Sequence, residues 1–359
     1  MTSPLRFAVV GSGWRAEFFV RMARLMPERF TCTGVVTRSA ERAEHVRSEW
    51  GVPAVLGIDE LGDGPEVVVV ATPWPVTPVM IRALVDRELP VLAETPPAPD
   101  ADGLARLWEH VGSTGLVQVA EHSVFMPAHV ARAAVLDQGL IGEPTSVQVS
   151  STHLYHAMGL ARRLLGVAPG PAVVRASAFT APLLDPVNRD GWTGAEWPVG
   201  ARTVLATLDL GDGRSVLYDF TDNQWHNPLR ANRIVVRGSL GEIVDDAVTR
   251  YAGERTVLTS PIVRRQSGIE QSLDGWDTEH LSLDGAVLWR NEFLGARLAD
   301  DDLAVAGLLE ATGHWVRGTG PEPYPLAEGC QDHLLGLAIE EAARTGDPVH
   351  VPAAAWAAA

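Results

Sequence analysis

Phe7-Ala8-Val9-Val10-Gly11-Ser12-Gly13-Trp14-Arg15-Ala16 decides the fold. Four apolar residues form a short buried strand and a glycine turn follows. Trp14, Phe18, Met22 and Leu25/Met26 then recur at the spacing of a helix packed on a sheet. The turn fits G-x-G-x-x-G/A. Gly11 permits the sharp reversal, Gly13 lets a pyrophosphate approach the backbone, and Ala16 keeps the helix close to the strand. The helix N-terminus adds N–H groups and the positive end of its dipole. A lone motif of this kind is weak, but a preceding strand and a following amphipathic helix are its proper context. A glycine turn with no ligand is the competing reading.

Working outward, residues 33–36, 67–71, 91–93 and 116–120 are valine-rich runs without strict alternation, as a parallel sheet covered on both faces requires. Strands alternating with helices at this spacing predict a Rossmann doubly wound domain over residues 1–122. Beyond it the pattern changes. A helix at 127–138 precedes strands at 146–151, 173–178, 203–210, 215–220 and 233–236, whose partial alternation predicts a large, mainly antiparallel, open-faced sheet. Gly-Asp-Gly within 209–214 marks a hairpin. Helical patterns at 301–316 and 326–344 complete a second α/β domain over 123–359, and the Pro/Ala ending from Pro352 reads as a loosely held tail.

The chain has 359 residues, 46% hydrophobic and 21% charged, enough for two ordinary globular cores. A formal charge of −16 argues against nucleic acid or an anionic membrane as partner. The apolar run at 67–72 is too short to span a bilayer and no secretory leader is evident, so a cytoplasmic protein is expected. Cys32 and Cys330 read as small buried thiols, and no metal site is expected. All 29 basic residues are arginine.

At the end of the second strand stands Thr37-Arg38-Ser39, where a carboxylate would hold the ribose hydroxyls of NAD. An arginine flanked by hydroxyls suits the 2′-phosphate of NADP, so NADP(H) is favoured over NAD(H). Stacking of Arg38 on adenine is the alternative. Trp74, in Pro73-Trp74-Pro75, either closes over the cofactor or fills a core or interface.

Further features extend this pattern: Ala71-Thr72-Pro73, Glu94-Thr95-Pro96, Phe125-Met126-Pro127, Gly139-Leu140-Ile141-Gly142-Glu143-Pro144, His156 ahead of Arg163-Leu164-Leu165-Gly166, and Arg237-Gly238-Ser239-Leu240-Gly241. In these the whole chain resembles the glucose–fructose oxidoreductase / inositol dehydrogenase / MocA family. The resemblance implies a Rossmann domain, a second domain whose open sheet makes a homodimer or homotetramer, and a sugar- or polyol-type small-molecule substrate. It also implies cofactor contacts from Trp14, Arg15, Thr72, Pro73, Trp74, Glu94 and Thr95. Thr95 stands where members carry the lysine of Glu-Lys-Pro, Thr152 where they carry an aspartate, and Gly159 where an acid often follows the histidine.

A threonine hydroxyl cannot move protons near neutral pH, so His156 is the remaining acid/base candidate against a structural histidine at a helix start. Tyr155 is either a packing residue or a phenol donor. His122 follows the fifth parallel strand and either contacts nicotinamide or substrate, or sits in a solvated loop. If a helix begins there, His153 shares a face with His156; that pair recruits no metal, because no carboxylate or cysteine lies close by in sequence. Asn223, Trp225 and His226 mix amide, ring and imidazole as a carbohydrate site does, or make a hairpin tip or an oligomer contact. Three functions fit: an NAD(P)-dependent oxidoreductase on a sugar-like, polyol or imine small molecule, a redox-neutral NAD-dependent glycosidase or lyase, and a nicotinamide-binding pseudoenzyme.

Overall fold

The computed structural model describes residues 3–62 and 64–358. The first sheet is built from β1 (Leu5–Val10), α1 (Trp14–Leu25), β2 (Phe30–Val36), α2 (Ala40–His45), β3 (Ala54–Val55), β4 (Val67–Val70), α3 (Thr77–Val85), β5 (Val91–Ala93), α4 (Ala101–Val111) and β6 (Val117–Val119). Its order is β3-β2-β1-β4-β5-β6 with every pair parallel, the doubly wound arrangement the sequence predicts. β4 is four buried valines, which suits a strand covered on both faces. The two-residue β3 is too short to show a period of its own.

One detail of α1 differs. Its buried face is Ala16, Phe19, Val20 and Met22, while Trp14 and Leu25 are exposed. The expected stripe is rotated because the helix must bring Ala16 and Val20 against the sheet, which turns Trp14 outward beside the glycine turn.

The second sheet follows from α5 (Pro127–Asp137), β7 (Pro144–Ser150), α6 (Leu154–Leu165), β8 (Ala172–Leu183), a small hairpin β9 (Val187–Asn188) and β10 (Gly191–Trp192), β11 (Val199–Asp209), β12 (Ser215–Thr221), β13 (Arg233–Gly238), β14 (Gly241–Val244), β15 (Ala247–Gly253) and β16 (Thr256–Pro261). A three-stranded sheet of β17 (Val263–Ser267), β18 (Asp277–Leu283) and β19 (Ala286–Arg290) comes next, then α7 (Asp300–Val316), α8 (Leu326–Thr345) and β20 (Val349–Val351). The nine strands run β16-β15-β14-β13-β7-β12-β11-β8-β20, and only β7 with β12 is parallel. Val147, Val149, Val204, Ala206, Leu208, Val216 and Tyr218 point into a core closed by α5, α6 and α8. The alternate residues, such as Phe179, Leu205 and Leu217, stand exposed on the open face.

The two sheets do not partition the whole chain. α7 returns to the first sheet, where Leu303, Val305, Leu308 and Leu309 pack with Phe7, Val9 and Phe19. The ending also differs from a loose tail: Trp356 is 3% exposed, sits 6.2 Å from the Trp108 ring and donates from Nε1 to Gln331 Oε1 at 2.9 Å. One large ring among alanines is enough to anchor it; Ala359 lies outside the described residues. Cys32 and Cys330 are free and buried.

Candidate active site

The C-terminal ends of β1, β4, β5 and β6 place the glycine turn, Thr72-Pro73-Trp74, Glu94-Thr95 and Glu121-His122 along one edge. This is where open α/β sheets bind ligands. Gly11 adopts φ +118, and a Cβ there would lie 2.1 Å from the carbonyl oxygen of Ala71, so neighbouring strands fit closely only without a side chain. Gly13 faces open space, and as N-cap of α1 it offers no side-chain cap to the first-turn N–H groups. That cradle fits a nicotinamide dinucleotide, its pyrophosphate taking the backbone donors of the turn.

Around the adenosine end, Arg38 is exposed. Thr37 is buried and donates to the carbonyl of Ser39, whose hydroxyl caps α2 by accepting from the N–H of Arg42 at 3.2 Å. Arg42 itself is a residue the sequence reading passed over. Its Nε reaches Ser12 Oγ at 3.1 Å, another guanidinium nitrogen bonds the Ser12 carbonyl, and the group lies 5.7 Å from the Trp50 ring. Its position in the first turn of α2, directly after Thr37-Arg38-Ser39, was the available signal. The Thr72 hydroxyl meets that of Thr77 at 2.9 Å at the start of α3, and Pro73 is part of the same turn.

Arg15, expected beside the cofactor through the motif, turns its side chain inward. Nε donates to Glu94 Oε1 at 2.6 Å, and Nη2 donates to His122 Nδ1 at 2.8 Å. On its far side, His122 Nε2 meets Asp301 Oδ1 of α7 at 2.8 Å. Guanidinium only donates, so Nδ1 of His122 accepts and the proton of the neutral ring sits on Nε2 facing Asp301. Burial raises the Asp301 carboxyl, but the His122 hydrogen bond and the Arg15 charge outweigh it and leave it below its ordinary value. His122 is therefore held between two partners in a chain Glu94–Arg15–His122–Asp301, and is not a solvated loop histidine. Thr95 is half-buried, its N–H 3.3 Å from Glu94 Oε2.

The helix α6 brings the remaining groups across from the second domain. His153 is its N-cap residue and His156 lies one turn in, their rings 5.1 Å apart, so they do share a face. A carboxylate that is distant in sequence lies close in space. Glu121, delivered by the end of β6, places Oε2 2.6 Å from His156 Nδ1. Burial alone would raise that carboxyl; the charge His156 carries when protonated, its hydrogen bond and the Ser123 hydroxyl hold it at about 2 instead. Ionised Glu121 accepts, so His156 donates from Nδ1 and its neutral ring keeps Nε2 as a proton acceptor.

Gly159 explains why the acid comes from elsewhere. A Cβ at that position would lie 2.7 Å from Tyr324 Oη, 3.0 Å from Asp332 Oδ2 and 3.4 Å from Glu121 Cγ. The space that an acid on α6 would use is already filled by carboxylates from β6 and α8.

Aromatic rings line the approach. Trp74 lies edge-on to Tyr155 at 6.4 Å and to His333 at 6.1 Å, so it reaches across to the second domain while staying 47% exposed. Tyr155 lies 4.5 Å from His156, and burial, helped by the charges of Glu121 and Glu94, raises its phenol, which stays protonated at neutral pH. His153 is lowered to about 3 by burial and by the His156 charge, and so is neutral. Trp225 stacks on Phe220 at 5.0 Å and lies 4.9 Å from His153. The amides beside it are occupied: Asn223 Nδ2 donates to Asp185 Oδ1 at 2.6 Å and to the Val187 carbonyl at 2.9 Å. They fasten the root of the β9–β10 hairpin. His226, lowered by burial and by the charge of Arg189, belongs to the same root.

Comparison with known proteins agrees with this geometry. Residues 5–122 match the Gfo/Idh/MocA oxidoreductase family, NAD-binding Rossmann fold. The chain is 28% identical to an inositol 2-dehydrogenase of Streptomyces avermitilis over 189 residues, 46% of this chain and 54% of the relative, so the match spans about half of that relative's length. Levoglucosan dehydrogenase in complex with NADH and levoglucosan aligns with a TM-score of 0.69 at 17% identity, covering 98% of this chain and 100% of the other. A myo-inositol dehydrogenase from Corynebacterium glutamicum aligns at 0.64 and 18%, covering 97% and 98%. At such identities these structures speak for the fold. Among the described residues no helix is long and apolar enough to cross a membrane. With its glycine cradle and its parallel sheet, the region of residues 5–122 is a Rossmann domain of the Gfo/Idh/MocA oxidoreductase type, and over the whole chain the likeness is one of fold.

Proposed function

We propose that the protein is a cytoplasmic NAD(P)-dependent oxidoreductase in which His156 moves the proton while a sugar-like, polyol or imine small molecule exchanges hydride with the cofactor. The observation that carries this reading is the 2.6 Å contact of His156 Nδ1 with Glu121. A carboxylate at Nδ1 orients the ring and stabilises its charged form, leaving Nε2 to take the proton of a substrate hydroxyl or to return it to an alkoxide. The pair supplies the base that Thr95 cannot, so hydroxyl oxidation is favoured over chemistry that needs no base. The bound cofactor supplies the hydride acceptor or donor. The protein's own groups do the rest: Glu94 and Thr95 face that site, Tyr155 donates a hydrogen bond to a substrate oxygen, and Trp74 and Trp225 cover an apolar substrate face.

NADP(H) is preferred over NAD(H) in this reading, because Arg38, Ser39 and Arg42 gather at the end of β2 with no carboxylate among Thr37, Arg38 and Ser39 to repel a 2′-phosphate. The open face of the large sheet, with Phe179, Leu205 and Leu217 exposed, is the surface on which a homodimer or homotetramer would form. A panel of polyols, sugars and cyclic imines, followed by nicotinamide absorbance, tests the function. Stoichiometric cofactor turnover supports it. Conversion of a glycoside with no net absorbance change would move the assignment to the redox-neutral glycosidase or lyase, and no turnover of any class would favour a binding protein.

A further inference from the structure

Trp14 is the first residue of α1, directly after the glycine turn, and it is exposed. A guanidinium from the other domain lies against it: Arg189 Cζ is 3.6 Å from the centre of the Trp14 ring. Arg189 sits in the two-residue connection between β9 (Val187–Asn188) and β10 (Gly191–Trp192), at the tip of an excursion between β8 and β11. The root of that excursion is fastened by two side-chain amides. Asn223 holds Asp185 and Val187, and Asn227, 2% exposed, donates to the Leu184 carbonyl at 2.9 Å and to Asp185 Oδ1 at 3.1 Å. The hairpin thus starts in the second domain and ends on the Rossmann glycine turn.

The charges there are unbalanced. Arg15 is neutralised by Glu94, but Arg189 and Arg42 make no ion pair among the described residues, and both flank the turn, one on Trp14 and one on Ser12. The uncapped N-terminus of α1 adds its own positive end. In a chain of net charge −16, two unpaired guanidinium groups at a positive helix end are complementary to an anion placed between them.

We propose that Arg189 is a cofactor-binding residue supplied by the second domain: its guanidinium pairs with the pyrophosphate of the nicotinamide dinucleotide, and the β9–β10 hairpin clasps the cofactor against the glycine turn. This rests on the nicotinamide-cofactor reading and not on any substrate. Trp14 is the perch, holding the guanidinium flat and close while the site is open. The clasp slows cofactor release and ties the two domains together when the dinucleotide is in place.

The test is direct binding to the full-length protein without turnover, by calorimetry and by tryptophan emission, with NADPH, NADH, ADP and adenosine as ligands. Arg189→Ala is expected to raise Kd for the dinucleotides and for ADP about tenfold, to speed NADH release by a similar factor, and to leave adenosine unchanged. Arg189→Glu is expected to weaken the same three ligands further, and Trp14→Ala to weaken them less. Because Arg189 is exposed, thermal unfolding of the apoprotein should not move. Unchanged Kd for ADP and the dinucleotides would overturn the proposal. Equal weakening of adenosine would overturn it too, since the hairpin would then act as a cover with no bond to phosphate. Either result leaves the proton-transfer role of His156 untouched, because only a turnover assay reads it.

Discussion

The glycine turn and the histidine seam are built in opposite ways. The turn comes from ten consecutive residues, 7–16, and offers backbone N–H groups whose approach depends on the absence of a Cβ at Gly11. The seam draws on Arg15, Glu94, Glu121, His122, His156 and Asp301, and acts through charged side chains whose partners lie 35 to 179 residues apart. Backbone chemistry leaves a short motif. Side-chain pairs across a domain boundary do not.

The comparison breaks most decisively at His156. His156→Ala should lower kcat by roughly 10³-fold, the usual worth of a positioned acid/base, while dinucleotide Kd stays within about twofold. Loss of cofactor binding in that variant would show that turn and seam are one device after all.

Arg15 belongs to both regions by sequence but to the seam by contact. Arg15→Met leaves Glu94, whose side chain is only 11% exposed, without its partner, and should cost about 3 kcal/mol in denaturant unfolding. A change below about 1 kcal/mol would place the guanidinium in the turn's service instead.

Gly159→Ala sharpens the packing side of the comparison. Its Cβ would press on Tyr324 Oη at 2.7 Å, and a loss of about 2 kcal/mol in unfolding free energy is expected from overpacking. Unchanged stability would mean that Tyr324 and Asp332 yield, and that an acid on α6 remained open to this chain. Arg42→Ala carries the smallest effect: NADPH should bind about tenfold more weakly with NADH little changed, by fluorescence titration. Equal weakening of both would remove the basis for an NADP preference.

Acidity also separates the two regions. Glu121 is held at about 2, below the ~4.3 of a free glutamate. A depressed carboxyl contributes stability above its unfolded value, and that stability is lost as pH falls through ~4.3 toward 2. Unfolding free energy of the wild type should therefore fall more steeply than that of Glu121→Gln below about pH 5; parallel curves would deny the pairing.

Legibility followed the same divide. Valine runs disclosed the parallel sheet, and partial alternation disclosed the open-faced one, because burial on two faces or one leaves a period in the chain. The glycine turn disclosed the cofactor edge. Glu121 was passed over although it stands between Ala120 and His122, since an acid after a strand reads as a surface residue until α6 is seen to cover it. Asn223 stays open between a carbohydrate ligand and a hairpin tip in the sequence, because composition cannot tell an amide free for substrate from one fastening a hairpin. Arg189 carried no signal, since its partner Trp14 lies 175 positions earlier in the chain. Trp356 was hidden among alanines that set the character of the tail.

The central claim is that Glu121 and His156 act as one unit, and a double-mutant cycle on kcat/KM tests it most directly. Glu121→Gln alone should cost on the order of 10-fold to 100-fold, and adding it to His156→Ala should cost nothing further. Full additivity of the two losses would contradict the account.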